Sequence, residues 1–374
     1  AQASFAHGQV YVALSRCKTL EGMVLSTPIA GRSIVKDNTV SGFVQNVEEN
    51  QPGDNELNVA KLAYQKLGKV NVAITPTLIG GKQLAYLDEN TTAQDLKRET
   101  RHRAQLVVSD WFETNEAEID RIYDEMVKVR TKIAKTLGYE NFVQLGYDRF
   151  GRTDYNHIDV KGYRDQIFES VVPVVNELTK RKAIRIGIED AKSYDLALSF
   201  LTGNPTPKGT REHLVNQAKD MYEDMSPETG EFWNFMMDRD LLDLDAKEGK
   251  MGGGYCTFIP EYSSPFIFAN FNGTSGDVDV LTHEAGHAFQ IFQSQKQIPE
   301  YRWPGYEGAE IHSMSMEFLA WPWIHKFFED DTDKYKFNHL AGAISFLPYG
   351  VTVDEFKHGS YENPGMTPKE RKAL

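Results

Sequence analysis

Cysteine is nearly absent from this 374-residue chain, which holds only Cys17 and Cys256. Two cysteines make no disulfide framework, and these lack the paired spacing of a zinc knuckle. Positive charge is not in excess either. Acidic residues outnumber basic ones 54 to 41, for a formal net charge of −13, which argues against nucleic acid or an acidic membrane as a partner. No uninterrupted apolar run is long enough to cross a bilayer and no signal-peptide pattern is present, so a cytoplasmic location is the default expectation. A G-x-x-x-x-G-K-[ST] phosphate loop is missing, which excludes the usual mode of nucleotide binding. Internal repeats and long low-complexity tracts do not occur, and Gln51 to Glu56 (QPGDNE) reads as a surface turn. What remains is a chain long enough for two or three domains around a sizeable core.

Histidine is scarce too, ten in all, yet two of the ten stand in His283-Glu284-Ala285-Gly286-His287. Residues four apart share one helix face, so His283 and His287 can both put a ring nitrogen on one metal ion. Glu284 lies one step round the same turn, where it can reach a water on that metal without ligating it. Zinc brings the pKa of such a water to about 7, and a neighbouring carboxylate can take its proton. The flanking sequence reads as helix: Leu281, Ala285, Ala288, Phe289 and Phe292 form an apolar stripe, and Thr282 or Asp279 could cap the start. Gly286 is costly inside a helix by about 1 kcal/mol against alanine. A small residue there would let a second element approach the metal closely.

A catalytic zinc site has three protein ligands and one open position. Downstream, Gly308 to Trp321 (GAEIHSMSMEFLAW) has a helical pattern that places Glu310 and Glu317 seven apart on one face, with Met314 between them. Two carboxylates on a largely apolar helix are costly to bury unless they meet a cation or hydrogen-bond donors. Two readings stay open: Glu310 as third ligand with Glu317 orienting a ligand histidine, or both as the solvated edge of an amphipathic helix. His312, two residues from Glu310, points elsewhere and reads as a packing or hydrogen-bonding residue.

Other segments read mainly as helix. Ile119, Ile122, Met126, Val129, Ile133 and Leu137 recur in steps of three and four, with Gly138 placed to end the run. Further helices are expected over about 160–182, interrupted at Pro173, and over 187–201 and 210–224. Gly252 to Thr257 and Pro265 to Phe271 read as short strands joined by turns. Cys256 falls in the first of these, as a small apolar residue. The glycine run is either a mobile loop or a place of close backbone approach.

Taken together, DVDVLTHEAGHAFQ (277–290) and EIHSMSMEFLAWPW (310–323) resemble the oligoendopeptidase F branch of the thimet-oligopeptidase family. Ile122 to Gly138 (IYDEMVKVRTKIAKTLG), Asn141 to Tyr147, Tyr255-Cys256-Thr257, FANFNG (268–273) and YENPGMTPKER (361–371) agree with it, so the likeness covers roughly residues 70 to 374. The resemblance implies a mainly α, zincin-type metallopeptidase region over 67–374, with a small β-sheet next to the H-E-x-x-H helix. It implies one Zn2+ per chain held by His283, His287 and Glu310, with Glu284 as general base and Glu317 behind a ligand. Gly253, Gly254, Phe268, Ala269 and Asn270 fall where the family holds its peptide substrate by strand pairing. Asp277 matches the family's D-V-x-x-L-x-H-E lead-in; it either supports the site from behind the ligands or serves as a helix-start residue. Short, unstructured peptides are the implied substrates.

Residues 1–66 differ in character. Phe5 to Ile29 (FAHGQVYVALSRCKTLEGMVLSTPI) resembles the last conserved motif of RecD-type superfamily 1 DNA helicases, with Arg16 at the position that faces the ATP γ-phosphate. The similarity extends to about Tyr64, which predicts a short α/β helicase-tail segment. Without a phosphate loop a motor arginine is only a fragment, so helicase activity is the least favoured expectation. At the other end, the chain stops at Leu374, before the family's His and Tyr residues that face the reacting carbonyl. Loss of one oxyanion donor costs about 10²–10³ in rate, so the alternative expectation is a zinc-binding fragment with impaired catalysis.

Overall fold

The computed structural model describes residues 97–247 and 249–374; the helicase-like segment of residues 1–66 lies outside the described residues. The fold is mainly helical, with one three-stranded sheet. Its longest element is α1, Arg98–Thr136. Gly138 follows at φ 86°, a left-handed conformation that lets the Tyr139 amide bond back to the Ala134 carbonyl and stop the helix. The periodic residues of this segment do not form its packing face. Ile122, Val129 and Leu137 are more than half exposed, while Val127 and Ala134 are fully buried. That burial is against α2 (Phe142–Arg149) and Tyr361. Small side chains at Val127 and Ala134 permit the close approach, so the larger residues are left outside.

Next come α3 (His157–Gln166), capped by the Asn156 side chain, a π-turn over Ile167–Val171, and α4 (Val172–Arg185), with Pro173 in its first turn. Proline lacks the N–H that a helix interior needs, so the interruption expected there is real and falls just upstream. The helix expected over 187–201 does not form. Gly187 at φ 70° ends α4, and only a single turn, Ser193–Asp195, follows. That segment is held instead by Asp195, fully buried, whose carboxylate accepts from Arg98 and Arg101 of α1. A side-chain ion pair, not helical hydrogen bonding, fixes the chain here.

Helices α5 (Arg211–Met225) and α6 (Pro227–Asp238) contribute Trp233, Phe232 and Tyr222 to the main core. They lead into the sheet, ordered β1 (Leu242–Asp245), β3 (Ser264–Phe271), β2 (Tyr255–Ile259). Strand β3 is central, parallel to β1 and antiparallel to β2. The expected strand over 252–257 starts three residues later, because Gly253 takes φ 93° and breaks the extended run.

The sheet packs on α7 (Gly276–Ser294), whose Val278, Leu281, Ala285 and Ala288 are fully buried. Neither Thr282 nor Asp279 caps this helix. It begins earlier, at Gly276, and the Thr282 hydroxyl lies inside it, donating to the Val278 carbonyl. Against α7 lies α8 (Tyr306–Leu319), and then comes the long α9 (Thr332–Glu362). No helix among the described residues is long and apolar enough to cross a membrane.

Gly286 sets the α7–α8 distance. A Cβ at this position would come within 2.7 Å of the His312 carbonyl oxygen and of Ser313 Cα, and 3.0 Å from Met316 Cβ. Two of these are backbone atoms, so no rotamer change relieves the clash. Gly286→Ala must push the helices apart; denaturant unfolding should show a loss of about 1–3 kcal/mol, the usual cost of overpacking, although alanine is the better helix former.

Candidate active site

Helix α7 presents His283 and His287 on one face, their ring centroids 5.0 Å apart. Across the Gly286 contact, α8 brings Glu310 to them: its Oε2 lies 3.2 Å from His283 Nε2 and 3.6 Å from His287 Nε2. These three residues form a group whose donor atoms could hold one metal ion. The Ser313 hydroxyl, on a fully buried residue, donates to Glu310 Oε2 at 2.8 Å and sets its rotamer. Glu310 itself is half exposed, which leaves solvent access on that side.

Glu317 lies behind His283. Its Oε1 is 2.6 Å from His283 Nδ1, and its Oε2 is 2.6 Å from Nε2 of His339 on α9. The Trp321 indole N–H donates to His339 Nδ1 at 3.1 Å. An indole can only donate, so His339 Nδ1 accepts and its proton is on Nε2, aimed at Glu317. Glu317 can only accept while ionised, so His283 Nδ1 carries a proton; against burial, which lowers it, the Glu317 hydrogen bond and the charges of Glu317, Glu284 and Glu310 raise the His283 pKa. Two hydrogen bonds from histidines outweigh burial and hold the Glu317 carboxyl below its ordinary pKa. Of the two readings of Glu317, the solvated edge does not match these contacts: its side chain is 14% exposed and bridges two histidines.

The donor set itself tests whether a cation fits. His283 Nε2 faces Glu310 Oε2 at 3.2 Å, a distance that a proton on Nε2 can bridge. A cation among His283, His287 and Glu310 would take the place of that proton, with the donor atoms of all three residues within 4.8 Å of one another. The donor set, two imidazoles and one carboxylate, suits zinc. Burial lowers the pKa of His287 and so favours the neutral form that a metal requires. His287 has no carboxylate behind it, and its Nδ1 is buried without a partner.

Glu284 occupies the other side of the same turn. Burial, reinforced by the Glu310 charge, lifts its carboxyl to about 7, against the pull of His283 and of the Cys256 backbone amide. It thus points toward β2. Cys256 is partly buried there as a free thiol, and burial pushes it up to about 12, in line with an apolar strand residue.

The remaining expected residues separate. Asp277 touches no ligand; it accepts from the backbone amides of Asn272 and Gly273, at 2.8 and 2.7 Å, and pins the turn from β3 into α7. Of its two readings, the helix-start role matches these contacts. Asp279 instead joins the histidine network, accepting from the Tyr335 hydroxyl at 2.6 Å, while the Tyr335 ring stacks on His339. His312 is half-buried and its Nε2 has no hydrogen-bond partner, which makes it a packing residue. Phe268 lies on the central strand opposite Asp243 of β1 and Tyr255 of β2, and Ala269 and Asn270 continue that strand beyond its last pair with β2. Ala269 is fully buried, and the Asn270 side chain donates to the Met251 and Gly253 carbonyls at 2.8 Å, fixing the glycine run. The exposed sheet edge next to Glu284 belongs to β2 and the residues that enter it. The Cys256 backbone amide bonds to Glu284, and a Cβ at Gly254 would stand 3.5 Å from Glu284 Oε1.

His339, Tyr335 and Trp321 join the site without a signal in the sequence. Glu317 and His339 are 22 residues apart on different helices, a separation with no periodic signal.

Residues 91–373 match the profile of peptidase family M3. Similar solved structures include PZ peptidase A with an inhibitor, 50% identical with a TM-score of 0.76, covering 84% of this chain and 56% of that one. A protein from Bacillus anthracis str. Ames, provisionally designated oligoendopeptidase F, is 53% identical with a TM-score of 0.74, covering 84% of this chain and 58% of that one. Another protein of the same provisional designation is 50% identical with a TM-score of 0.75, covering 84% and 56%. No curated protein matches significantly. This chain spans a little over half the length of the structures it resembles. With three-quarters of its residues inside the family profile and its histidine and glutamate pairs gathered on two apposed helices, the chain belongs to peptidase family M3.

Proposed function

We propose that this chain is a zinc metalloendopeptidase that hydrolyses short, unstructured peptides. The observation that carries the reading is the convergence of His283, His287 and Glu310 beside the buried Glu284. His283, His287 and Glu310 would hold a single Zn2+, which supplies Lewis-acid polarisation of a carbonyl and of water. Glu284 takes the proton of the attacking water and passes it to the leaving amine, with no covalent intermediate. Glu317 keeps the His283 proton on Nδ1 throughout, and His339 holds Glu317 in turn. A peptide lies along the free edge of β2, where Gly253 and Gly254 offer backbone without side chains. Zinc as the metal, Glu284 as the base and peptides as substrates are supported by this geometry together with the family relationship. The helicase-like residues 1–66 lie outside the family match and contribute nothing to this reading.

The purified chain should carry zinc at the α7–α8 site and cleave a quenched-fluorescent peptide. Glu284→Gln should keep that zinc and lose about 10²–10⁴ in rate, the range of a positioned general base. Glu310→Ala should lose both zinc and turnover. Zinc bound without turnover in the unaltered chain would favour the impaired-fragment alternative; no zinc at this site would overturn the assignment. A chelator-buffered titration of Glu317→Ala should show zinc affinity lowered about 10–100-fold, the range for a carboxylate behind a ligand histidine. His339→Ala should lower it in the same direction by less, because Glu317 remains.

A further inference from the structure

Helices α3 and α9 bring together a second group of potential ligands away from the first site: His157, His358 and Glu362. The first site's arrangement recurs here, two imidazoles and a carboxylate, with one pair at i and i+4 on a helix and the third ligand from another helix. His157 opens α3, and Glu362 is the last residue of α9, whose negative end favours a cation. His358 is 7% exposed, and its Nε2 is buried without a hydrogen-bond partner. A buried polar atom left unpaired costs free energy, which a ligand at this point would recover. The three residues share the wall of a cleft of about 760 Å³ with Lys161, Arg164 and Phe356, so a metal and a coordinating water have a route in.

The neighbouring charges do not occupy these ligands. Arg164 is turned to Asp354, with which it forms an ion pair, and Asp354 lies 3.7 Å from His358 Nε2, too far for a hydrogen bond. Burial holds His358 below its ordinary pKa, against the charges of Asp354 and Glu362, which favours the ring form that a metal requires. Donor atoms on a tetrahedral zinc stand about 3.4 Å apart. Those of His157, His358 and Glu362 lie within 4.8 Å of one another, and the exposed Glu362 can close the difference by a change of rotamer.

We infer that His157, His358 and Glu362 form a second transition-metal site, suited to Zn2+ and closed by a water, that clamps the start of α3 to the end of α9. It is independent of the proposed peptidase site: His358 is 19 residues beyond His339 on α9, about 28 Å along the helix axis.

The test uses the full chain, dialysed against low-micromolar zinc and then assayed for metal content. The unaltered chain should hold two equivalents, and a Glu310→Ala/His283→Ala variant should keep one. Adding His157→Ala and Glu362→Gln to that background should remove the last equivalent. Both positions are less buried than His358, and far-ultraviolet circular dichroism checks that each variant is folded. As a second readout, zinc should raise the Tm of the Glu310→Ala/His283→Ala variant, and this rise should vanish with His157→Ala. Co2+ in the same background should give the visible absorption of a low-coordinate nitrogen and oxygen site. If the Glu310→Ala/His283→Ala variant binds no metal, or if a folded His157→Ala/Glu362→Gln chain binds as much as the unaltered one, the site is refuted.

Discussion

The carboxylate of Glu317 is the contact on which the rest of the site depends. It is bonded on one oxygen to His283 and on the other to His339, and both histidines are forced to present an N–H to it. For His283 this leaves Nε2 to face Glu310 at 3.2 Å, either through a proton or, on the proposed function, as a metal ligand. The Trp321 indole, just past the end of α8, fixes the His339 proton on Nε2 and so helps to hold Glu317 against His283.

Packing makes that electrostatic arrangement possible. Glu310, Ser313 and Glu317 all lie on α8, and α8 reaches α7 only because Gly286 has no side chain. The helix pays about 1 kcal/mol in propensity for that glycine. In return, Glu310 and Glu317 come within reach of the α7 histidines, at 3.2 and 2.6 Å from His283. Asp277 serves the same end from the other side: by holding the backbone of Asn272 and Gly273 it fixes the angle at which α7 leaves the sheet. Its effect on the site is through the helix, not through a ligand.

Much of this was legible in the sequence where chemistry and periodicity coincide. His283, Glu284 and His287 are specified by a spacing that only a helix makes meaningful, and Gly286 by its cost. Glu310 and Glu317 could be placed on one face, but their different fates could not, since the partner of Glu317 sits on a helix whose docking is a tertiary fact. The errors have the same origin. Residues 187–201 carry helical composition, yet the buried Asp195 between two arginines outweighs propensity. The periodic stripe of α1 reported the right helix and the wrong face, because Val127 and Ala134 are small enough to be packed against and the larger residues are not. Pro265 to Phe271 reads correctly as strand, but strand order in a sheet leaves no mark on any one strand, and this one is the middle of three.

The roles of the sheet and of Glu284 follow from that strand order. With β3 paired to β2 from Ser264 to Phe268, the backbone beside Glu284 is that of the edge strand β2 and the glycines that enter it. A peptide paired there would run beside Glu284, and any side chain at Gly254 would stand between them, 3.0 Å from Val280 and 3.5 Å from the carboxylate. Burial that lifts Glu284 to about 7 has the same geometric cause, since the strand covers one side of the carboxylate and His283 and Glu310 bound the other. A base buried in this way is matched to proton transfer near neutrality. On the proposed function, one edge strand would then do two things at once: offer backbone to a substrate, and supply the desolvation that tunes Glu284.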